Sequence, residues 1–244
     1  MKKSKIVKTA LLCASLLLFG CSSSGTEAAA NANVKTALEE ASKAFSDAQA
    51  VTADYTHFRG EEDGLSHTYK VTIETDSVSD ATRAEGHEDL RDGDSTVIYN
   101  PISEYYYDTD SGVRYVYMET SDGYQPFSFK VNGTVYDDLN VARQLFADYS
   151  DGYTALKAVR NTNEIIVTGS SRRPAILSIE GFVEDEDDDI DWNVEVSFRS
   201  GTMLPIKATF KKGDEEIIVD YNTFNEHLDI QLPEIEDVNA EQSE

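Results

Sequence analysis

Four histidines, two cysteines and one dense acidic run are the residues of this 244-residue chain best suited to metal or nucleophilic chemistry. His57, His67, His87 and His227 never fall at the three-to-five-residue spacing of a zinc site. Glu184 to Asp191 reads EDEDDDID. Alternate carboxylates at Asp187, Asp189 and Asp191 could gather oxygen ligands around a calcium ion. In an EF-hand count, however, the Gly and Glu places hold Trp192 and Phe198. The same run also reads as a solvated, self-repelling loop ahead of a strand. The chain has no GxSxG elbow and no glycine-rich phosphate loop. These patterns point away from an enzyme and call for no cofactor.

The aromatic residues are more informative. Tyr99, Tyr105, Tyr106, Tyr107, Tyr115, Tyr117 and Tyr124 crowd one 26-residue stretch. Cross-strand aromatic pairs stabilise a sheet, which is one account of them. The other uses their amphipathic rings: a ring can pack an acyl chain or a sugar face while its hydroxyl stays wet. On that account Tyr99, Tyr105, Tyr107, Tyr115 and Tyr117 are the ligand-binding candidates. Val113, Tyr115 and Tyr117 alternate with Arg114, Val116 and Met118, so both faces of one strand are largely apolar. A helix, a ligand or a partner protein must cover the second face.

The N-terminus carries an address. Lys2, Lys3, Lys5 and Lys8 precede an apolar run from Ala10 to Phe19, the order of a secretory signal and too short to span a bilayer. Leu18-Phe19-Gly20-Cys21 matches a bacterial lipobox. It implies cleavage before Cys21 and acylation of its thiol, with the signal peptide at 1–20 and a small, polar tether at 21–33. The bilayer is then a partner through acylated Cys21, and the protein sits at the cell membrane on its extracytoplasmic face. The sequence leaves open whether the cell has one membrane or two. Losing four lysines takes the formal charge from −25 to −29. Such acidity excludes nucleic acid as a partner, because phosphate contacts need clustered Lys and Arg.

Val34, Leu38, Ala41, Phe45 and Ala48 form the stripe of an amphipathic helix, with Asn33 as its N-cap. A period of two follows in residues 51–56 and 67–74, then strands at Ser95–Asn100, Glu104–Asp108 and Val113–Glu119, with Asn100-Pro101 as a turn. A second helix is predicted from Asp138 to Tyr149, capped by Asp137 or Asp138. Strands resume at Thr154–Val159 and Glu164–Thr168. The clearest alternation is Trp192, Val194, Val196 and Phe198, repeated in 206–211 and 217–221. Leu228 to Leu232 could add a last edge strand, and an acidic tail follows at 235–244. This predicts an α+β fold in one domain, residues 34–234: a curved antiparallel sheet, or half-barrel, wrapped around two or so helices.

The acylated cysteine, tether, single helix, long meander and closing segment Asp220-Tyr221-Asn222 … Leu228-Asp229-Ile230-Gln231-Leu232-Pro233-Glu234 together resemble small lipoproteins of the LolA/LppX/LprG-like superfamily, especially its Gram-positive members. The resemblance covers about 200 residues and implies helices in the concave face of a half-barrel. It also implies a lipid or other amphiphile bound between sheet and helices, and transfers no catalytic residue. The alternative is a cavity-less envelope module that engages a protein or wall polymer through its acidic, tyrosine-rich surface. Phe45, Trp192, Phe198 and Phe210, large and inward-facing, favour a filled core.

Overall fold

A computed structural model describes residues 30–60, 64–110, 112–121, 123–130, 133–180 and 192–233. The signal peptide, most of the tether and the acidic tail lie outside the described residues.

Alternation of inward and outward side chains dominates the chain, and the result is one antiparallel sheet. In chain order its strands are β1 (Ala30–Ala32), β2 (Ala50–Gly60), β3 (Leu65–Asp76), β4 (Ala81–Asp92), β5 (Ser95–Asp108), β6 (Val113–Thr120) and β7 (Gly123–Lys130). They continue with β8 (Lys157–Arg160), β9 (Glu164–Ser171), β10 (Trp192–Arg199), β11 (Pro205–Lys212) and β12 (Glu215–Phe224). The spatial order is β1-β8-β9-β10-β11-β12-β2-β3-β4-β5-β6-β7. Two meanders therefore meet where β12 pairs with β2, placing Glu215 opposite Arg59 and Phe224 opposite Val51.

Helix α1 (Val34–Ser46) begins where the Asn33 side chain accepts the Thr36 N–H at 3.1 Å. Its Ala37, Leu38, Ala41 and Phe45 are buried, as the stripe requires. Burying the larger ones contributes about 1.5–3 kcal/mol each. The predicted second helix is instead two pieces, α2 (Val135–Asp138) and α3 (Val141–Ser150). Thr134 caps the first and Asn140 the second; the Asn140 side chain accepts the Arg143 N–H at 3.2 Å. That amide offers the backbone a local partner, so Asn140 starts a new helix rather than continuing the old one. The Tyr136 hydroxyl meets the carbonyls of Phe45 and Ala48, tying α2 to the end of α1. Tyr221 of β12 donates to Leu139 O at 2.8 Å, tying the sheet to the joint between α2 and α3.

The curved sheet with helices against its inner face is the predicted architecture. Several boundaries differ. Ala30–Ala32, read as tether, pair with Arg160, Val159 and Ala158, because β8 would otherwise leave an open edge. Strand β5 runs straight through Asn100-Pro101. Only residues 104–108 of β5 pair with β6, so Pro101 sits where that edge asks for no N–H. Strands β4 and β7 gave no alternation signal, since inward positions of β4 hold Ala84, Gly86 and Glu88. Residues 225–233 contain no strand. A 3-10 helix at Ala175–Glu180 was also unforeseen.

Inward side chains of β2, β3 and β9–β12 share one core with α1, α3 and the 3-10 helix. Phe45, Trp192, Phe198 and Phe210 are all buried there. At the other end, Arg114 of β6 is fully buried. It donates to Asp108 at 2.6 Å, Ser178 at 2.9 Å and Asp138 at 3.3 Å, joining the sheet to α2 and the 3-10 helix.

Candidate functional site

The core is not filled everywhere. Under β2–β7, beside the end of the 3-10 helix, lies a cavity of about 480 Å3. This is within the roughly 300–1,000 Å3 of small-molecule sites. Pro101, Ile102, Val116, Met118, Phe127, Phe129 and Ile179 form its apolar wall, and Arg59, His67, Glu88, Asn100 and Glu180 its polar one, while Glu104 projects beside Ile102 and Met118. Tyr69 and Tyr106 complete the lining. Met118 and Phe127 are 40% and 54% exposed, leaving an apolar fringe on this wall.

Strand register explains how the polar wall forms. Arg59 lies opposite His67, and Glu88 opposite both Tyr69 and Asn100. Arg59 Nη2 donates to His67 Nδ1 at 3.0 Å, and His67 Nε2 lies 2.5 Å from Glu88 Oε1. A guanidinium can only donate, so His67 accepts at Nδ1 and carries its proton on Nε2. Asn100 donates to the other Glu88 oxygen at 3.3 Å. Burial opposes the Glu88 charge, but these two hydrogen bonds hold its pKa below the usual value.

Deeper in, His57 is sealed between two carboxylates. Nδ1 lies 2.9 Å from Glu180 and Nε2 2.7 Å from Glu215. Both ring nitrogens therefore donate, which is the imidazolium form. Burial works against that charge, yet the two hydrogen bonds raise the His57 pKa above its ordinary value. Glu215 moves the opposite way: burial opposes its charge, and His57 nonetheless lowers its pKa. Tyr55 adds a hydrogen bond to Glu180 at 2.5 Å.

Glu104 is different. Its oxygen meets the Tyr106 hydroxyl, which also lies 2.9 Å from Ile179 O. Burial raises the Glu104 pKa, the Tyr106 hydrogen bond opposes that rise, and repulsion from Glu88 adds to it. Among the described residues no cation pairs with Glu104. The buried Tyr69 hydroxyl nearby closes no hydrogen bond of good geometry; burial and the charge of Glu104 raise its pKa, and its approach to the Tyr106 hydroxyl works the other way.

The tyrosine candidates lie elsewhere. Tyr105 faces Tyr117, and Tyr107 faces Tyr115, across the β5–β6 pair. The structure thus brings these four together, but on the convex face, opposite Tyr106 and Val116. Tyr107 and Tyr115 are exposed, and Tyr99 stacks on His87 with ring centroids 5.1 Å apart. None of the five lines the cavity. The second face of β6 is covered around Arg114 by α2 and the 3-10 helix, whereas around Val116 and Met118 it borders the cavity, with Met118 left 40% exposed. Cys21 and Asp187, Asp189 and Asp191 lie outside the described residues. Among the described residues no three His, Cys, Asp or Glu side chains are grouped to hold a metal. No described helix is long and apolar enough to cross a membrane.

Glu104 of the cavity lining and His57, bonded to the lining residue Glu180, were not marked as a site by the sequence and share one signal. Glu104 falls between Ile102 and Tyr106, and His57 follows Ala53 and Tyr55, at inward positions of apolar strands. A polar residue at such a place marks either a buried network or a site.

No sequence family and no curated protein matches the chain. Solved structures do. The lipoprotein LppX of Mycobacterium tuberculosis superposes with a TM-score of 0.50 at 12% identity, covering 81% of this chain and 98% of that one. The fold is LppX-like. LprF of Mycobacterium bovis gives 0.49 at 13% identity, with 82% and 96% covered. A LolA superfamily protein of Nitrosomonas europaea gives 0.27 at 10%, with 83% and 96% covered. At this identity the LppX likeness speaks for the architecture alone, and the LppX-like sheet is what sets the cavity between strands and helix.

Proposed function

We propose that this chain is a membrane-anchored, extracytoplasmic lipoprotein, acylated at Cys21, that holds a lipid or other small amphiphile non-covalently beneath its sheet. The observation that carries this reading is the 480 Å3 cavity, with one apolar wall, one polar wall and an exposed apolar fringe. An amphiphile needs that division. Among the described residues the lining contains no Ser, Thr, Cys or Lys, and its polar groups are largely engaged with one another, which supports binding over catalysis.

Native mass spectrometry of the membrane-extracted protein is the test. The mass should exceed the acylated polypeptide by one small amphiphile, lost on delipidation and regained on re-addition. Repeated absence of any bound amphiphile would sink the reading. For the anchor, Cys21→Ala should move the protein from the membrane pellet to the soluble fraction.

A second reading, an envelope interaction module, is favoured by the exposed Tyr99, Tyr107 and Tyr115 on the convex face. A specific, salt-sensitive partner lost on changing these three tyrosines would support it.

A further inference from the structure

We infer that the cavity selects amphiphiles with a cationic, hydrogen-bond-donating head such as an alkylamine, seated on Glu104, over anionic ones; this rests on the amphiphile reading above. The lining carries three carboxylates, Glu88, Glu104 and Glu180, and one guanidinium, Arg59. Arg59 is already engaged with His67, Glu88 with His67 and Asn100, and Glu180 with His57 and Tyr55. Glu104 alone among these acids has no basic partner in the described residues, and it sits opposite Met118 of the apolar wall.

The hydrogen bonding at Glu104 agrees. The Tyr106 hydroxyl has one proton and faces two acceptor oxygens, Glu104 Oε2 and Ile179 O, so it cannot satisfy both. Burial disfavours the charge of Glu104 and raises its pKa. An ammonium head placed there donates N–H bonds to the carboxylate and supplies the counter-charge. A carboxylate or phosphate head finds no unengaged cation among the described residues and meets like charge instead. The field of a chain with formal charge −25 acts in the same direction, drawing cations in and turning anions away.

The experiment displaces the neutral fluorophore N-phenyl-1-naphthylamine from the delipidated full-length mature protein at pH 7.5. The competitors are dodecylamine, dodecanol and laurate, each below its micelle concentration. Dodecylamine should displace the probe at a concentration at least 10-fold lower than laurate. Glu104→Gln should bring the two within about 3-fold, while Glu40→Gln, on the exposed side of α1 and away from the cavity, leaves the preference intact. Laurate binding as well as dodecylamine overturns the inference, and this wild-type comparison stands even if a variant fails to fold. A preference that survives Glu104→Gln, or is lost equally in Glu40→Gln, overturns it too. If laurate and dodecanol bind but dodecylamine does not, the amphiphile reading stands and the charge selection fails. If neither probe nor competitors bind, both fail.

Discussion

Arg114 and Asp108 form an ion pair sealed from solvent: Nε donates to Oδ1 at 2.6 Å, and the two side chains are 0% and 3% exposed. The other Asp108 oxygen accepts the Val135 N–H at 3.0 Å, so the same carboxylate starts α2. Removing one partner leaves a buried charge uncompensated, at a cost of about 3–5 kcal/mol. Arg114→Met should therefore lower stability by that amount in urea unfolding. A loss below about 1 kcal/mol would show that the pair does not hold the sheet to the helices.

The His57 network makes stability depend on pH. Its folded pKa is raised above the ordinary 6.5. The unfolded chain thus releases the proton first as pH rises. The contribution is fully present below about pH 6.5 and fades as pH climbs through the folded value. Unfolding midpoints from pH 6 to 9 should fall more steeply for the wild type than for His57→Gln. Parallel profiles would mean that His57 is not charged in the fold.

Gly86 lies opposite Val71 in the β3–β4 ladder. A Cβ at this position would lie 2.0 Å from Lys70 O and 2.7 Å from Val71 Cα. Backbone, not a flexible side-chain end, stands in the way. Gly86→Ala should cost at least about 1–3 kcal/mol and lower the thermal midpoint. An unchanged midpoint would contradict this close approach.

Ile102 lines the cavity and is only partly buried, so a larger side chain can enter the open space. Ile102→Trp should weaken N-phenyl-1-naphthylamine binding at least 10-fold with little change in thermal midpoint. Binding at wild-type strength would place the fluorophore elsewhere.

The convex tyrosines are expected to serve the sheet. Tyr107 and Tyr115 are directly cross-strand, and such pairs are worth roughly 0.2–1 kcal/mol. Replacing both with Thr should reduce stability by about that much and leave fluorophore binding unchanged. A loss of binding would return the ligand to the convex face.

The α1 stripe, its Asn33 cap, the hairpins of β10–β12 and the curved antiparallel architecture were legible in the sequence. Each depends on residues close together in the chain, where a period of 3.6 or 2 records which side is buried. The same logic made the tyrosines look like a site: alternation tells that Tyr105, Tyr107, Tyr115 and Tyr117 share a face, but not whether that face is concave. Strand β4 was missed because two of its inward positions lack large apolar residues: Gly86, where the neighbouring backbone comes too close for a side chain, and Glu88, which lines the cavity. By itself, then, the sequence determined those periodic local elements and the acidic charge. Tertiary structure decided what meets what. His57 reaches Glu180 across 123 positions and Arg114 reaches Ser178 across 64. Such contacts leave no period in the chain, because they follow from sheet curvature and from where the 3-10 helix docks. The same packing leaves Glu104 at the cavity with no cation paired to it among the described residues.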